Sequence, residues 1–291
     1  MFASFVVTLK PTAPAPLGNS TGASLHALLF NLVAQENRAL AEQLHADAAV
    51  KPFTVSPLRG KIKREGERRI ATPARFYSVR YTTLADELFN ALSKILLGKF
   101  LYRGKVTLDG AEFVVQDVAV DPERSRGWGG LASAEEIWER ASTTPDISLR
   151  FASPTAFRQR GLNLLFPIPT NVFHSYREKW NAFATPPLDE GLLAWVEQNV
   201  AVEAHELESR MTWFGGFQLH GFTGWCRFTA KDKDATRLKQ LNALADFAFF
   251  CGTGAKTTQG MGQTRRMKAE GRRIEDESGG RKNGSADFAS G

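Results

Sequence analysis

One order of elements occurs twice along this chain, and no other feature narrows its fold as far. Phe2–Lys10 is rich in β-forming residues, and the Pro/Gly/Ser/Thr-rich stretch Pro11–Ala23 reads as a loop. Ser24–Ala46 spaces its apolar residues close to a helical face, with Ser24 in place to cap it. Strands are predicted at Phe53–Leu58 and Phe76–Thr82, a helix at Leu84–Leu97, and a strand pair across Phe100–Val120. In the second half, a strand at Asp146–Phe151 precedes helical segments at Asn171–Ala184 and Asp189–Gln198. Two long strands, Val200–Trp213 and Gly216–Ala230, turn at Gly215-Gly216. A helix at Ala235–Phe250 and a strand at Gly260–Ala269 complete the series.

Each half therefore runs β-α-β-β-α-β, which predicts an α+β chain of two tandem ferredoxin-like (RRM-like) domains. The expected division is 1–145 and 146–269, joined through Asp121–Pro145. A tail over 270–291, rich in Gly, Ser and charge, is expected to be disordered. With 291 residues and 43% hydrophobic content, the chain can bury one large core or two medium ones. Cys226 and Cys251 are too few and too far apart for a zinc motif or a disulfide framework, the first residues show no basic segment followed by a long apolar run, and no stretch nears the ~18 apolar residues of a membrane span. A reducing, cytoplasmic setting is the default expectation.

The chemical signal lies near the C-terminus. Gly252-Thr253-Gly254 and Gly260-Met261-Gly262 flank Ala255-Lys256-Thr257-Thr258-Gln259, which places four glycines in eleven residues. Such a backbone reaches positive φ freely, approaches another molecule without a Cβ in the way, and can turn N–H groups toward an anion. Gly254-Ala255-Lys256-Thr257 imitates the end of a nucleotide-triphosphate loop, but Ala255 and Phe250 stand where that motif needs glycine, and the loop follows a helix rather than a strand. A plain flexible link between helix and strand is the competing reading of the loop taken alone.

The arrangement resembles the C-terminal signature of the RAMP superfamily of RNA-binding proteins and, within it, the CRISPR-associated endoribonucleases that cut precursor CRISPR RNA at each repeat. Leu25-His26-Ala27-Leu28-Leu29, Leu44-His45, and Lys51-Pro52-Phe53-Thr54-Val55-Ser56-Pro57-Leu58 extend the likeness upstream. Ile147 through Thr155, Phe166-Pro167-Ile168-Pro169 and Trp180-Asn181 carry it through the second half, so it covers about residues 1–268.

The resemblance implies that His45 acts as general acid or base and that Lys51 stabilises the transition state. Metal-free RNA cleavage needs a base for the 2′-OH, an acid for the leaving 5′-oxygen and positive charge on the phosphorane, tasks that histidine and lysine can perform. Taken by itself, His45 reads rather as a surface histidine at a helix C-terminus, and the resemblance reverses that preference. His26, one helical turn before Phe30, is the candidate third catalytic residue, with Tyr77, Tyr81 and Ser56 as weaker substitutes. His174, His205 and His220 have no metal-ligand spacing with the cysteines, and Asp232 with Asp234 reads as a helix cap, so neither a metal nor a cofactor is expected.

Net charge is only +6, but Lys51–Arg80 holds nine basic residues against Glu65 and Glu67. That run is either a solvated face or a basic hairpin beside an RNA path. The expected RNA-binding set is Arg59, Lys61, Lys63, Arg64, Arg68 and Arg69 with Gly252, Gly254, Lys256, Gly260 and Gly262. The expected function is metal-independent cleavage of CRISPR repeat RNA, leaving 2′,3′-cyclic phosphate and 5′-OH ends. A non-catalytic RAMP subunit of a CRISPR effector complex is the alternative; an unrelated pair of RRM-like domains lacks its aromatic RNP1 pattern. Association with other effector subunits, or with a second copy as a homodimer, is left open by the sequence.

Overall fold

The computed structural model of the protein describes residues 1–46, 50–99, 104–214 and 216–267. Its two principal sheets share one strand order. In the first, Phe53–Val55, Tyr77–Thr83, Phe2–Pro11 and Ala111–Ala119 lie side by side, all antiparallel, with Lys105–Leu108 added at the edge. In the second, Val200–Phe214, Phe217–Ala230, Asp146–Thr155 and Thr264–Arg266 repeat that pattern. Numbered within its own domain, each four-strand set reads 2-3-1-4, the ferredoxin-like arrangement that the element order predicts.

The period-2 alternation of strands explains how the first sheet meets both its own helices and the other domain. Ala3, Phe5, Val7 and Leu9 point into the first core, where they join Leu25, Leu29 and Val33 of the Thr21–Glu36 helix together with Tyr77, Val79 and Tyr81. The opposite face carries Ser4, Thr54, Arg80 and Thr82, all buried. Against it lies the helix Ala235–Cys251, buried on nearly every side from Leu238 onward because it is enclosed by both domains. Phe2 packs against Phe247 with tilted rings, 5.0 Å between centroids, and joins the second core, as do Leu84, Ala132 and Ile137.

The last carbonyls of that helix have no partners of their own within it and are met by side chains from elsewhere. Arg80 donates to the Phe249 carbonyl at 2.5 Å, Thr82 to Phe250 at 2.7 Å, and Lys179 to Cys251 at 2.7 Å. Arg80 also donates to Gln263 Oε1 at 2.8 Å and to Ser4 Oγ at 2.7 Å. Two buried cations are tolerated without a carboxylate because they sit on the negative end of a helix dipole. Burial nonetheless holds both below their ordinary pKa values, Arg80 strongly so with Arg59 adding repulsion.

Several local expectations need correction. The helix predicted over Ser24–Ala46 is two helices, Thr21–Glu36 and Arg38–His45. Asn37 is extended between them, and its side-chain oxygen accepts from the Leu40 N–H, the competition with helix that asparagine characteristically offers. Apolar spacing continues through the break at Leu40, Ala41 and Leu44, so periodicity conceals it. Ser24 is not the cap: it lies inside the first turn and donates to the Ser20 carbonyl. The predicted loop at Pro11–Ala23 contains a strand, Ala15–Leu17, that pairs with the hairpin Lys63–Glu65/Arg68–Ala71. The closing strand is only Thr264–Arg266, following a 3-10 turn at Thr257–Gln259. Phe100–Arg103, Gly215 and the 268–291 tail lie outside the described residues.

Candidate active site

The break at Asn37 folds the second helix back along the first and brings His45, its last residue, beside Phe30. Phe30 sits one turn after His26, and its ring meets both imidazoles, His26 at 4.7 Å and His45 at 5.4 Å between centroids. Phe53 closes the group at 5.7 Å from His26. His45 is exposed and His26 half-buried.

Lys51 joins this group through backbone oxygens. Its ammonium donates to the Leu44 carbonyl at 2.9 Å and to the Ala46 carbonyl at 2.5 Å, the free carbonyl end of the helix that carries His45. It thus fixes that helix end and keeps a positive charge next to the imidazoles.

The second domain contributes the remaining wall. Gly22, in the first turn of its helix, lies so close to the glycine loop that a Cβ there would come within 2.1 Å of the Gln259 carbonyl oxygen. That approach lets His26 Nδ1 meet the Thr258 carbonyl at 2.9 Å. A carbonyl only accepts, so Nδ1 carries the proton and Nε2 of the neutral ring keeps its lone pair. The His26 pKa is lowered, first by burial and then by the positive charge of His45, Lys51 and Lys256, against the opposing effect of the Thr258 carbonyl. His26, His45, Lys51 and Lys256, taken from four separate segments, therefore act on one another. Tyr77, Tyr81 and Ser56 are excluded, because all three are buried in the protein interior.

The glycine loop is built differently from the open anion cradle expected of it. Gly252, Gly254, Gly260 and Gly262 all have positive φ, but three of them are buried, and the space a side chain would need is taken by the protein itself. A Cβ on Gly254 would lie 2.4 Å from the Ala156 oxygen, and one on Gly262 2.1 Å from the Thr253 oxygen. Backbone N–H groups of Thr253, Ala255, Met261 and Gly262 donate to carbonyls within the chain. Tyr176, Thr253 and Thr264 link their hydroxyls beneath the loop. Of the residues predicted here, Lys256 is exposed, in the left-handed region at φ 58°.

The basic run also divides. Arg80 is the interdomain clamp and is withdrawn from any surface path. Arg59 stacks on Trp128 at 4.3 Å, Arg69 donates to the Gly18 and Asn19 carbonyls at 3.1 Å, and Lys63 pairs with Glu65 at 2.7 Å. Lys61, Arg64 and Arg68 are exposed along the hairpin. Gly22, Trp128, Lys179 and Gln263 escaped sequence reading. A lysine within an otherwise apolar helix face was the visible trace of Lys179, whereas the others look ordinary in one dimension. Among the described residues, no three His, Cys, Asp or Glu side chains are grouped so as to hold a metal ion, and no helix is long and apolar enough to cross a membrane.

Two ferredoxin-like domains closed on each other by a glycine loop, with paired histidines and a lysine at the junction, define a RAMP-type architecture. The chain belongs to the Cas6 family: residues 1–139 match the CRISPR Cas6 N-terminal domain and residues 149–264 match CRISPR-associated endoribonuclease Cas6. A CRISPR-associated endoribonuclease Cas6 of Mycobacterium tuberculosis is 33% identical over 143 residues, 49% of this chain and 45% of that protein. The aligned stretch thus spans about half the length of this curated relative. A Thermus thermophilus Cas6 product complex superposes with a TM-score of 0.79 at 26% identity, over 92% of this chain and all of that one. A second Cas6 product complex gives 0.75 at 25% identity, over 92% and 99% of the two chains.

Proposed function

We propose that this protein is an endoribonuclease that cleaves precursor CRISPR RNA within its repeats, without a metal ion. The observation that carries the reading is the pair of imidazoles that both contact Phe30, beside the Lys51 ammonium. His26, neutral and with Nε2 free, takes the proton of the 2′-OH as it attacks the adjacent phosphate. His45 protonates the departing 5′-oxygen. Lys51 and Lys256 offset the charge that builds on the phosphorane. The products are a 2′,3′-cyclic phosphate and a 5′-OH. Lys61, Arg64 and Arg68 supply contacts to the RNA backbone.

The sharpest test uses a synthetic repeat with a single 2′-deoxy nucleotide just upstream of the scissile phosphate. Cutting stops while binding persists, and the unmodified repeat is still cut in excess EDTA. Normal cleavage of the deoxy repeat, or loss of cleavage on chelation, refutes the mechanism. His45→Ala slows single-turnover cleavage about 10²–10⁴-fold, the usual contribution of a general acid or base, with affinity nearly unchanged. If His45→Ala and His26→Ala both leave repeat binding and slow background cutting as in the wild type, the chain is a non-catalytic RNA-binding subunit instead.

A further inference from the structure

We infer that the glycine loop of the second domain is the positioning element for His26: the Thr258 carbonyl holds the Nδ1 proton, and the Gly22–Gly260 contact keeps that carbonyl within reach. The inference rests on the catalytic reading of His26 given above. It assigns the loop a task inside the active site in place of the RNA cradle that its composition invites.

Three independent features converge on it. The first is steric. The Gly22 Cβ position lies 2.1 Å from the Gln259 oxygen, 2.6 Å from its carbonyl carbon and 2.9 Å from Gly260 Cα, so a side chain on Gly22 must push helix and loop apart. Gly260 answers with φ 103°, and its own Cβ position is 3.2 Å from Gly22 Cα. Glycine is thus needed on both partners of one contact.

The second feature is sequence spacing on the helix. Gly22 and His26 are four residues apart and share a face. A contact at Gly22 therefore sets the height of His26 against the loop, and the carbonyl it meets belongs to Thr258, the residue before the one touching Gly22. The same helix start is tied down a second time, since the Leu58 N–H donates to Thr21 Oγ1 at 3.2 Å.

The third is the loop's rigidity. Lys179 donates to the Cys251 and Gly252 carbonyls at 2.7 and 3.2 Å, and Thr253 accepts or donates to Tyr176 and Thr264 at 2.6 Å each. A loop braced this way holds one carbonyl in a fixed place, as orientation of a histidine by its second nitrogen requires. The charged and titratable groups around His26 are His45 on the second helix, Lys51 at the edge of the next strand and Lys256 on the loop itself. Of the groups around the ring, the Thr258 carbonyl is the one that meets Nδ1 at hydrogen-bond distance.

The experiment is ¹⁵N NMR of the full-length protein labelled at histidine, with the His26 signals assigned by their loss in His26→Gln. At a pH where the ring is neutral, Nε2 of wild-type His26 shows the shift of an unprotonated nitrogen and Nδ1 that of a protonated one. Gly22→Ala moves both toward the values of a free imidazole, where Nε2–H predominates, and slows single-turnover cleavage by tenfold or more with repeat affinity unchanged. A wild-type Nε2–H tautomer overturns the inference, as does a Gly22→Ala protein that folds and keeps the wild-type tautomer. If Gly22→Ala does not fold, the wild-type tautomer decides alone. If the tautomer is as described but His26→Gln cuts normally, the catalytic reading of His26 falls and the positioning role falls with it, while the structural contact stands.

Discussion

Replacing Arg80 with methionine tests whether the two domains are held by a polar clamp rather than by apolar contact alone. In the wild type its guanidinium serves Ser4 Oγ, the Trp128 carbonyl, Gln263 Oε1 and the Phe249 carbonyl. Trp128 keeps a donor after the change, because Ser4 Oγ also donates to it at 2.6 Å. Gln263 Oε1 and the Phe249 carbonyl lose theirs, and each buried acceptor left without a donor costs roughly 1–3 kcal/mol. Removing a buried cation returns part of that, since the desolvation of the charge is no longer required. The balance is a loss of about 3 kcal/mol. Arg80→Lys is the discriminating partner. A single ammonium has no fork to span Gln263 and Phe249 together, and it keeps the buried charge, so the loss is at least as large as for methionine. Urea denaturation followed by far-UV circular dichroism reads both values, and tryptophan fluorescence, with Trp128 at the domain junction beside Phe249, serves as the second probe. In the variants, transitions recorded by different probes separate as the domains lose their common support. An Arg80→Lys protein within 1 kcal/mol of the wild type would refute the clamp.

Three further outcomes follow from the structure. Neutralising Lys61, Arg64 and Arg68 together flattens the dependence of log affinity on log salt by about 0.7 per lost phosphate contact for single-stranded RNA, and an unchanged slope in a filter-binding series moves the RNA path elsewhere. His26 has a folded pKa below its unfolded value of about 6.5, so the unfolded state binds more protons as pH falls. The stabilising contribution of neutral His26 is therefore complete above about pH 6.5 and is lost as pH falls through the folded pKa; a His26→Gln protein shows a weaker decline over that window, and an identical decline contradicts the assignment. Burial pushes the thiols of Cys226 and Cys251 up to about 12, so a thiol reagent at pH 8 labels neither in the native protein and both after denaturation; rapid native labelling of Cys251 would show that the helix end is open.

The order of elements and the strand alternation were legible because both are local. Tyr77–Thr83 alternates inward Tyr77, Val79 and Tyr81 with outward Ser78, Arg80 and Thr82, and a reader of the sequence recovers the strand from that pattern alone. What the outward face meets is not local, so Arg80 was indistinguishable from its basic neighbours at Arg75 and Arg69. The break at Asn37 was hidden for a different reason: its effect depends on one side-chain hydrogen bond, while the apolar period runs on undisturbed on either side.

The sequence alone determined the two β-α-β-β-α-β repeats, the resemblance to the RNA-cutting branch of the RAMP superfamily, and three histidine and lysine candidates on two neighbouring segments. Hydrophobic period, turn chemistry and residue type carry that information along the chain. Only the tertiary structure decided which glycines meet each other, that His26 and His45 share the ring of Phe30, and that a carbonyl more than two hundred residues away fixes the His26 proton. Those facts depend on how two separately folded sheets pack across one helix end, a long-range arrangement in which the partners' separation in sequence leaves no periodic trace.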